Sequence, residues 1–456
     1  MTETGFETRS IMSRRVARWF RLAASIVGAT LVFGMPGAQA QKLIVWSGYP
    51  EMEPFYRHVA DGMKAKFPGL TVSVEAIPLR EHEKRVALAL ASGTTDALVI
   101  ELSTADATRY LSNDLLPKAP ADVAAFVGAP ANFSNFFRDS ASLSSPSLNS
   151  PSLNSPSLGD AVYGVPLFHG QVSLFYNLDM FKAAGLTKPP ATMDEYNADA
   201  EKLTQRDASG KATVSGWSLR LSGGGQGVAE KFWINMFQYG GNILSRTADG
   251  KWKVTLANEA GRKALRQYLV NVHKTRTVSP EMPADAEAFE RGQTAMFIRE
   301  SWVIGDIAKK APKLNYATAP LPRGSMSVPV NLYVSAKGAE AEAAWAFSQA
   351  AAEPDNQIWM LKNVGWLPSR AGIDTAAVTA AVPAFGAFVE SPGNYEVFAV
   401  PALDASEEIL TRVATRLVTA FADARLTDDD KAIDATLLAI ETETNEILKR
   451  EGLLGK

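Results

Sequence analysis

The 456-residue chain contains no cysteine. This excludes disulfides, thiolate metal sites, a cysteine nucleophile and a lipid anchor on an N-terminal cysteine. Histidine is scarce: His58, His82, His169 and His273 are the only four, and none of their spacings resembles HExxH or another metal-ligand pattern. No metal and no cofactor is expected. Basic blocks interleaved with aromatics are missing, so nucleic acid is not an expected partner. No apolar run reaches the ~20 residues that span a bilayer; Leu22–Met35 has about 14. What is present, 46% hydrophobic and 21% charged residues with a net charge of −3, is the composition of a folded, soluble protein.

Arg14, Arg15, Arg18 and Arg21 precede the apolar stretch, and Ala38-Gln39-Ala40 follows it. A basic n-region, a short apolar core and a small-x-small site make residues 1–40 a cleavable signal peptide, opened by either Met1 or Met12. Without it the net charge becomes −6. The expected product is a monomeric periplasmic protein, exported by the general secretory route and not lipid-anchored.

The remaining chain is too long for one ordinary core, so two domains are expected. "KLIVW" (Lys42–Trp46) reads as a strand. Met52, Phe55, Val59 and Met63 recur at helical spacing over Glu51–Lys66, before Pro68-Gly69. Leu70–Ile77 alternates as a strand, Glu81–Ala91 as a helix stopped by Gly93, and Ala97–Ile100 as a third strand. This βαβαβ order predicts an α/β fold with a mostly parallel sheet, whose ligands bind beyond the carboxyl ends of the strands. Trp46 and Tyr49 lie at or after the end of the first strand, and Glu101 follows the third.

Residues 142–159 repeat PSLNS with period five, too short for a solenoid and too poor in apolar residues to order itself, so a surface insertion is expected. The stretch Tyr163–Phe181, "YGVPLFHGQVSLFYNLDMF", follows. Gly164–Phe168 and Val172–Tyr176 read as two buried strands with a polar break at His169–Gln171. The Gly-rich loop Ser222–Gly227 leads into an aromatic helix; with no Lys-Ser/Thr after it, it is not a phosphate loop.

"YGVP" with "SLFYNLDMFKAAGL", then "TMDEYNADAEKLT", "AFERGQTAMFI" and "AWAFSQAAAEPDNQ…GWLPSR", occur in family order. On these blocks the chain resembles the family 1 extracellular solute-binding proteins of bacterial ABC importers, over roughly Lys42 to Leu448. Phe168, Ala183 and the PSLNS insertion depart from the pattern. The resemblance implies a two-lobed periplasmic-binding-protein fold of type II, each lobe a mostly parallel sheet flanked by helices, with a ligand cleft between them. It places a first lobe at 41–168, a second at 169–320, a return to the first at 321–352 and second-lobe C-terminal helices at 353–456. His169–Gln171 would then form the hinge and face the cleft. The implied role is to capture a sugar, polyol or glycoside and deliver it to the membrane permease subunits. Two alternatives remain: a sensing protein with the same fold, and an exported carbohydrate-active enzyme using pairs such as Glu51/Glu53 or Glu300/Asp306.

A sugar presents apolar C–H faces and a rim of hydroxyls, which suit aromatic rings and paired polar groups respectively. On that ground the candidate ligand contacts are Trp46, Tyr49, Glu101, His169, Gln171, Trp233, Glu300, Trp302, Asn331, Tyr333, Trp366 and Arg370. They fall at strand ends, beside glycine loops or at the crossing. No residue is a catalytic candidate.

Overall fold

The computed structural model describes residues 42–142, 161–283, 285–390 and 392–456. The residues expected to form a signal peptide and the repeats after Ser142 lie outside them. Ser142 itself bridges to Val162, so the flanks of the insertion meet.

β1 (Lys42–Ser47) alternates its apolar residues into the core and pairs in parallel with β2 (Thr71–Ala76) and β3 (Val99–Ser103). Between them, α1 (Glu53–Met63) buries Phe55, Tyr56, Val59 and Met63, one helical face. α2 (Leu79–Ser92) ends at Gly93, whose φ of 66° is the left-handed conformation that a helix terminus takes most readily at glycine. α3 (Thr104–Ser112) starts at the Ser103 cap, which accepts from the Asp106 N–H at 3.2 Å and donates to its carboxylate at 2.6 Å.

β4 (Gly164–Asn177) is a single 14-residue strand, not two strands with a break. His169–Gln171 continue its ladder, opposite Ser327–Pro329 of β6 (Gly324–Val334). Leu167 and Phe168 lie in the first lobe's apolar core and Val172 and Leu174 in the second's, so this continuous strand connects the lobes. β6 crosses back: Met326 packs in the second core, Val330 and Leu332 in the first. Its register with β4 shifts between Val330 and Asn331, where the crossing strands kink.

The pairings β4 makes in the second lobe are antiparallel, to Tyr316–Ala319 and to β5 (Met296–Glu300). The expected mostly parallel sheet therefore holds for β1–β3 but not around β4; the result is one mixed nine-stranded sheet. The second lobe also contains α4 (Gly227–Gln238), almost wholly buried. α5 (Pro354–Asn363) differs from expectation: Met360, and Val364 and Trp366 just beyond it, pack in the first core. The first core therefore takes side chains from beyond 352, up to Trp366.

Candidate functional site

The two lobes enclose a cleft of about 340 Å³. Its floor is the crossing strands, through Phe168 and Gly170 of β4 and Ser327–Val330 of β6. Strand alternation decides which residues face it. Phe168 and Gly170 do; His169 and Gln171 point the other way. His169 Nδ1 lies 3.0 Å from Ser327 Oγ, and its ring packs 5.1 Å from Phe137. Desolvation there pushes the imidazole down to about 4, so it is neutral at pH 7. Gln171 donates to the Phe388 carbonyl at 3.4 Å. The expectation that the polar pair faces the cleft is therefore reversed. Gly170 faces the cleft closely: a Cβ there would sit 3.2 Å from the Trp366 ring and 3.3 Å from the Glu300 side chain, and both would have to give by a few tenths of an ångström.

An aromatic panel stands at one end of the cleft. Tyr49 meets both Phe168 and Trp366 edge-on, at 5.2 Å between centroids, and Phe168 lies 4.7 Å from Trp366. Trp302 lines the same cleft, with the Arg299 guanidinium 5.4 Å from its ring centroid. The turn that holds it depends on Gly365, whose φ is 100° and whose Cβ position is 3.1 Å from the Trp302 backbone. Glu51 accepts from Trp366 Nε1 at 3.1 Å; burial raises its carboxyl above the ordinary value.

Paired charges line the remaining walls. On the first lobe Arg80 of α2 bonds Glu83 at 2.6 Å. Burial, then Asp106, raises Glu83 to about 7 in spite of that partner. On the second lobe Lys231 of α4 bonds Glu300 at 2.6 Å, and Arg299 lies 3.3 Å from the other Glu300 oxygen. Burial alone would raise the Glu300 carboxyl, but the two cations outweigh it and hold it at about 2. Arg220 completes this wall and forms no ion pair or hydrogen bond among the described residues. The lobes touch across the cleft, where Arg80 stands 3.9 Å from Glu230 and Gln226 donates to Asp106 at 3.5 Å.

Of the sequence candidates, Tyr49, Glu300, Trp302 and Trp366 come together on the cleft. Glu101 lies beneath it, 1% exposed, accepting from Ser47 Oγ, the Gly48 N–H and the Tyr56 hydroxyl; burial pushes it up to about 8. It positions the loop that carries Tyr49. The rest are elsewhere. Trp46 packs in the first lobe under the Arg85 guanidinium, 3.6 Å from its ring centroid. Trp233 is in the second core, with Nε1 donating to Asn242 at 2.9 Å. Asn331 and Tyr333, both fully buried, bond one another at 3.0 Å. Arg370 lies over Phe126 and Phe133.

Arg80, Asp106, Arg220, Lys231 and Arg299 were not anticipated. A signal existed for Arg80: it follows β2 as Tyr49 follows β1, beyond the carboxyl end of a parallel strand. The Gly loop gave another. Cβ atoms at Gly223 and Gly227 would lie 3.0 and 2.9 Å from the Arg220 guanidinium, and one at Gly225 would lie 3.2 Å from Arg80. The glycines let two arginines approach the backbone. Among the described residues no group of acidic or histidine side chains could hold a metal ion, and no helix is long and apolar enough to cross a membrane.

A two-lobed α/β protein with a cleft at its strand crossing is a form shared by ligand-binding proteins. The profile of the bacterial extracellular solute-binding proteins matches residues 59–387, and the chain belongs to that family. Its role is to bind a solute. A lactose-binding protein of Rhizobium radiobacter is 22% identical over 354 residues, 75% of this chain and 74% of that protein. In fold, the chain matches a maltose-bound protein of T. maritima with a TM-score of 0.73 and 18% identity, over 89% of this chain and all of that one. A tagatose-bound ABC-transporter solute-binding protein of Thermotoga lettingae gives a TM-score of 0.72 and 18% identity, over 90% of this chain and all of that one. The family and these neighbours are binding proteins.

Proposed function

We propose that this protein is the capture component of a bacterial ABC import system for a sugar or a closely related polyol or glycoside. The observation that carries the reading is the division of the cleft into an aromatic panel (Tyr49, Phe168, Trp302, Trp366) and walls of paired charges. A pyranose has an apolar face for the panel. Each of its hydroxyls both donates and accepts, and pairs such as Lys231–Glu300 and Arg80–Glu83 offer both functions within one bond length of each other. The sugars named for similar proteins support the same reading.

In this account the protein is exported with residues 1–40 removed, acts in the periplasm as a monomer, closes on its ligand at the crossing strands and docks on the permease. Ligand shifts the open–closed equilibrium only by contacts that differ between the two states, so both walls must contribute. The test is calorimetric titration of the mature chain with mono- and disaccharides, followed by mass analysis of the recovered ligand. Saturable binding with the sugar returned unchanged is expected. No binding across the series, or conversion of the sugar, contradicts the reading.

A further inference from the structure

A second cavity of about 380 Å³ opens in the second lobe, lined by Trp217, Ser218, Ser222, Ser279 and Asp285 among others. It shares Arg220 and Arg299 with the main cleft, so these two guanidinium groups stand at the junction. Its charged lining residues are Arg220, Arg299 and Asp285, and Glu300 of the main cleft stands 3.3 Å from Arg299. Asp285 is engaged by Arg299 at 3.4 Å. Arg220 has neither ion pair nor hydrogen bond among the described residues, and the glycines at 223 and 227 pack directly against its guanidinium. One further donor lacks an acceptor there: Nε1 of the fully buried Trp217. A half-buried guanidinium without an ion pair or hydrogen bond, beside the unpartnered Trp217 Nε1, is a receptor for an anion.

We propose that the solute carries one carboxylate, as a sugar acid does, and that this group enters the junction and pairs with Arg220 beside Arg299. The proposal rests on the sugar reading and narrows it. One carboxylate would pair the one guanidinium there, Arg220, that has no ion pair among the described residues. A phosphate monoester brings close to two negative charges, and would place the surplus near Glu83, Asp106 and Glu230 of the main cleft. The planar guanidinium fork also matches a carboxylate in two parallel bonds. The apolar face and hydroxyls of the sugar then remain for the aromatic panel and the paired walls.

The experiment is calorimetry on matched pairs: glucuronate and glucose, galacturonate and galactose, lactobionate and lactose, maltobionate and maltose. Each pair is titrated into the wild type and into Arg220→Gln. At least one acid is expected to bind tenfold or more tightly than its neutral parent. Arg220→Gln should weaken that acid about 10- to 100-fold, the range of a lost charge-assisted pair, and at least tenfold more than it weakens the neutral parent. On the wild type alone, raising the salt concentration should weaken the acid and spare the parent, a check that does not depend on the variant folding. Neutral sugars binding as well as or better than their acids, or equal losses for both in Arg220→Gln, would overturn the acid proposal and leave the sugar reading standing. Binding by neither series would overturn both.

Discussion

The two walls of the cleft carry opposite chemistry. The first-lobe wall has three buried or half-buried carboxylates, Glu51, Glu83 and Asp106, for one cation, Arg80, and holds Tyr49 and Trp366. Across from it, Arg220, Lys231 and Arg299 face two carboxylates, Glu230 and Glu300. One wall is rich in acceptors and ring faces, the other in donors. Each wall offers both functions through one ion pair, Arg80–Glu83 or Lys231–Glu300, but the balance between donors and acceptors differs.

The sharpest way to break this comparison is to exchange a tryptophan of the wall for one of the core. Trp233 sits one turn along α4 from the cleft but fills the second core, so Trp233→Ala should lower unfolding stability by about 3–5 kcal/mol. Whatever remains folded should bind the identified sugar normally. Trp302→Ala should do the reverse, costing about 2–4 kcal/mol of binding, as an aromatic anchor does, with a smaller change in chemical denaturation. If both variants lose affinity alike, the division between wall and core is wrong.

The carboxylate beneath the first wall gives a pH test of its support. Glu101 has a folded pKa near 8 against an ordinary value near 4.5, so the folded state keeps a proton that the unfolded chain releases. Stability from this group is fully present below about pH 4.5 and is lost as pH rises towards 8. Glu101→Gln removes that dependence. Relative to wild type it should gain stability between pH 5 and 9, by on the order of 1–3 kcal/mol, measured by urea unfolding across that range. Parallel stability profiles would show that Glu101 titrates normally.

The smallest effect is expected from the insertion. Deleting Ser147–Pro156 should leave affinity and melting temperature nearly unchanged, because Ser142 and Val162 already meet and closure entropy depends weakly on loop length. A tenfold loss of affinity would bring the repeats into the site.

Much of the architecture was legible in the sequence. The βαβαβ start and the helix phase of α1 follow from periodicity, and family-like blocks pointed to two lobes. The site was legible only where a topological rule picked the residue. Tyr49 follows a parallel strand, Glu300 ends one that borders the crossing, Trp302 begins the helix after it, and Trp366 lies in a Gly-Trp-Leu-Pro turn. What could not be read was facing. In a crossing strand buried on both sides, hydrophobicity does not alternate, so nothing in "LFHGQV" says that Phe168 and Gly170 look into the cleft while His169 and Gln171 look away. The same limit hid Asn331 and Tyr333, which lie on β6 yet turn into the core. The charged residues were missed for another reason. Arg, Lys and Glu are ordinary surface residues in a sequence, and apart from Arg80, which follows a parallel strand, only the tertiary pairings mark them, Lys231 and Arg299 among them, as parts of a wall.

The most direct test of capture between two unlike walls is a crystal structure of the mature protein with the sugar identified by titration. The account predicts the ligand between the lobes, its apolar face against Trp302 or Trp366 and its polar groups bonded to residues of both walls, with at least one of Arg220, Lys231 and Arg299 among them. A ligand held by one wall alone, or bound outside the cleft, would contradict it.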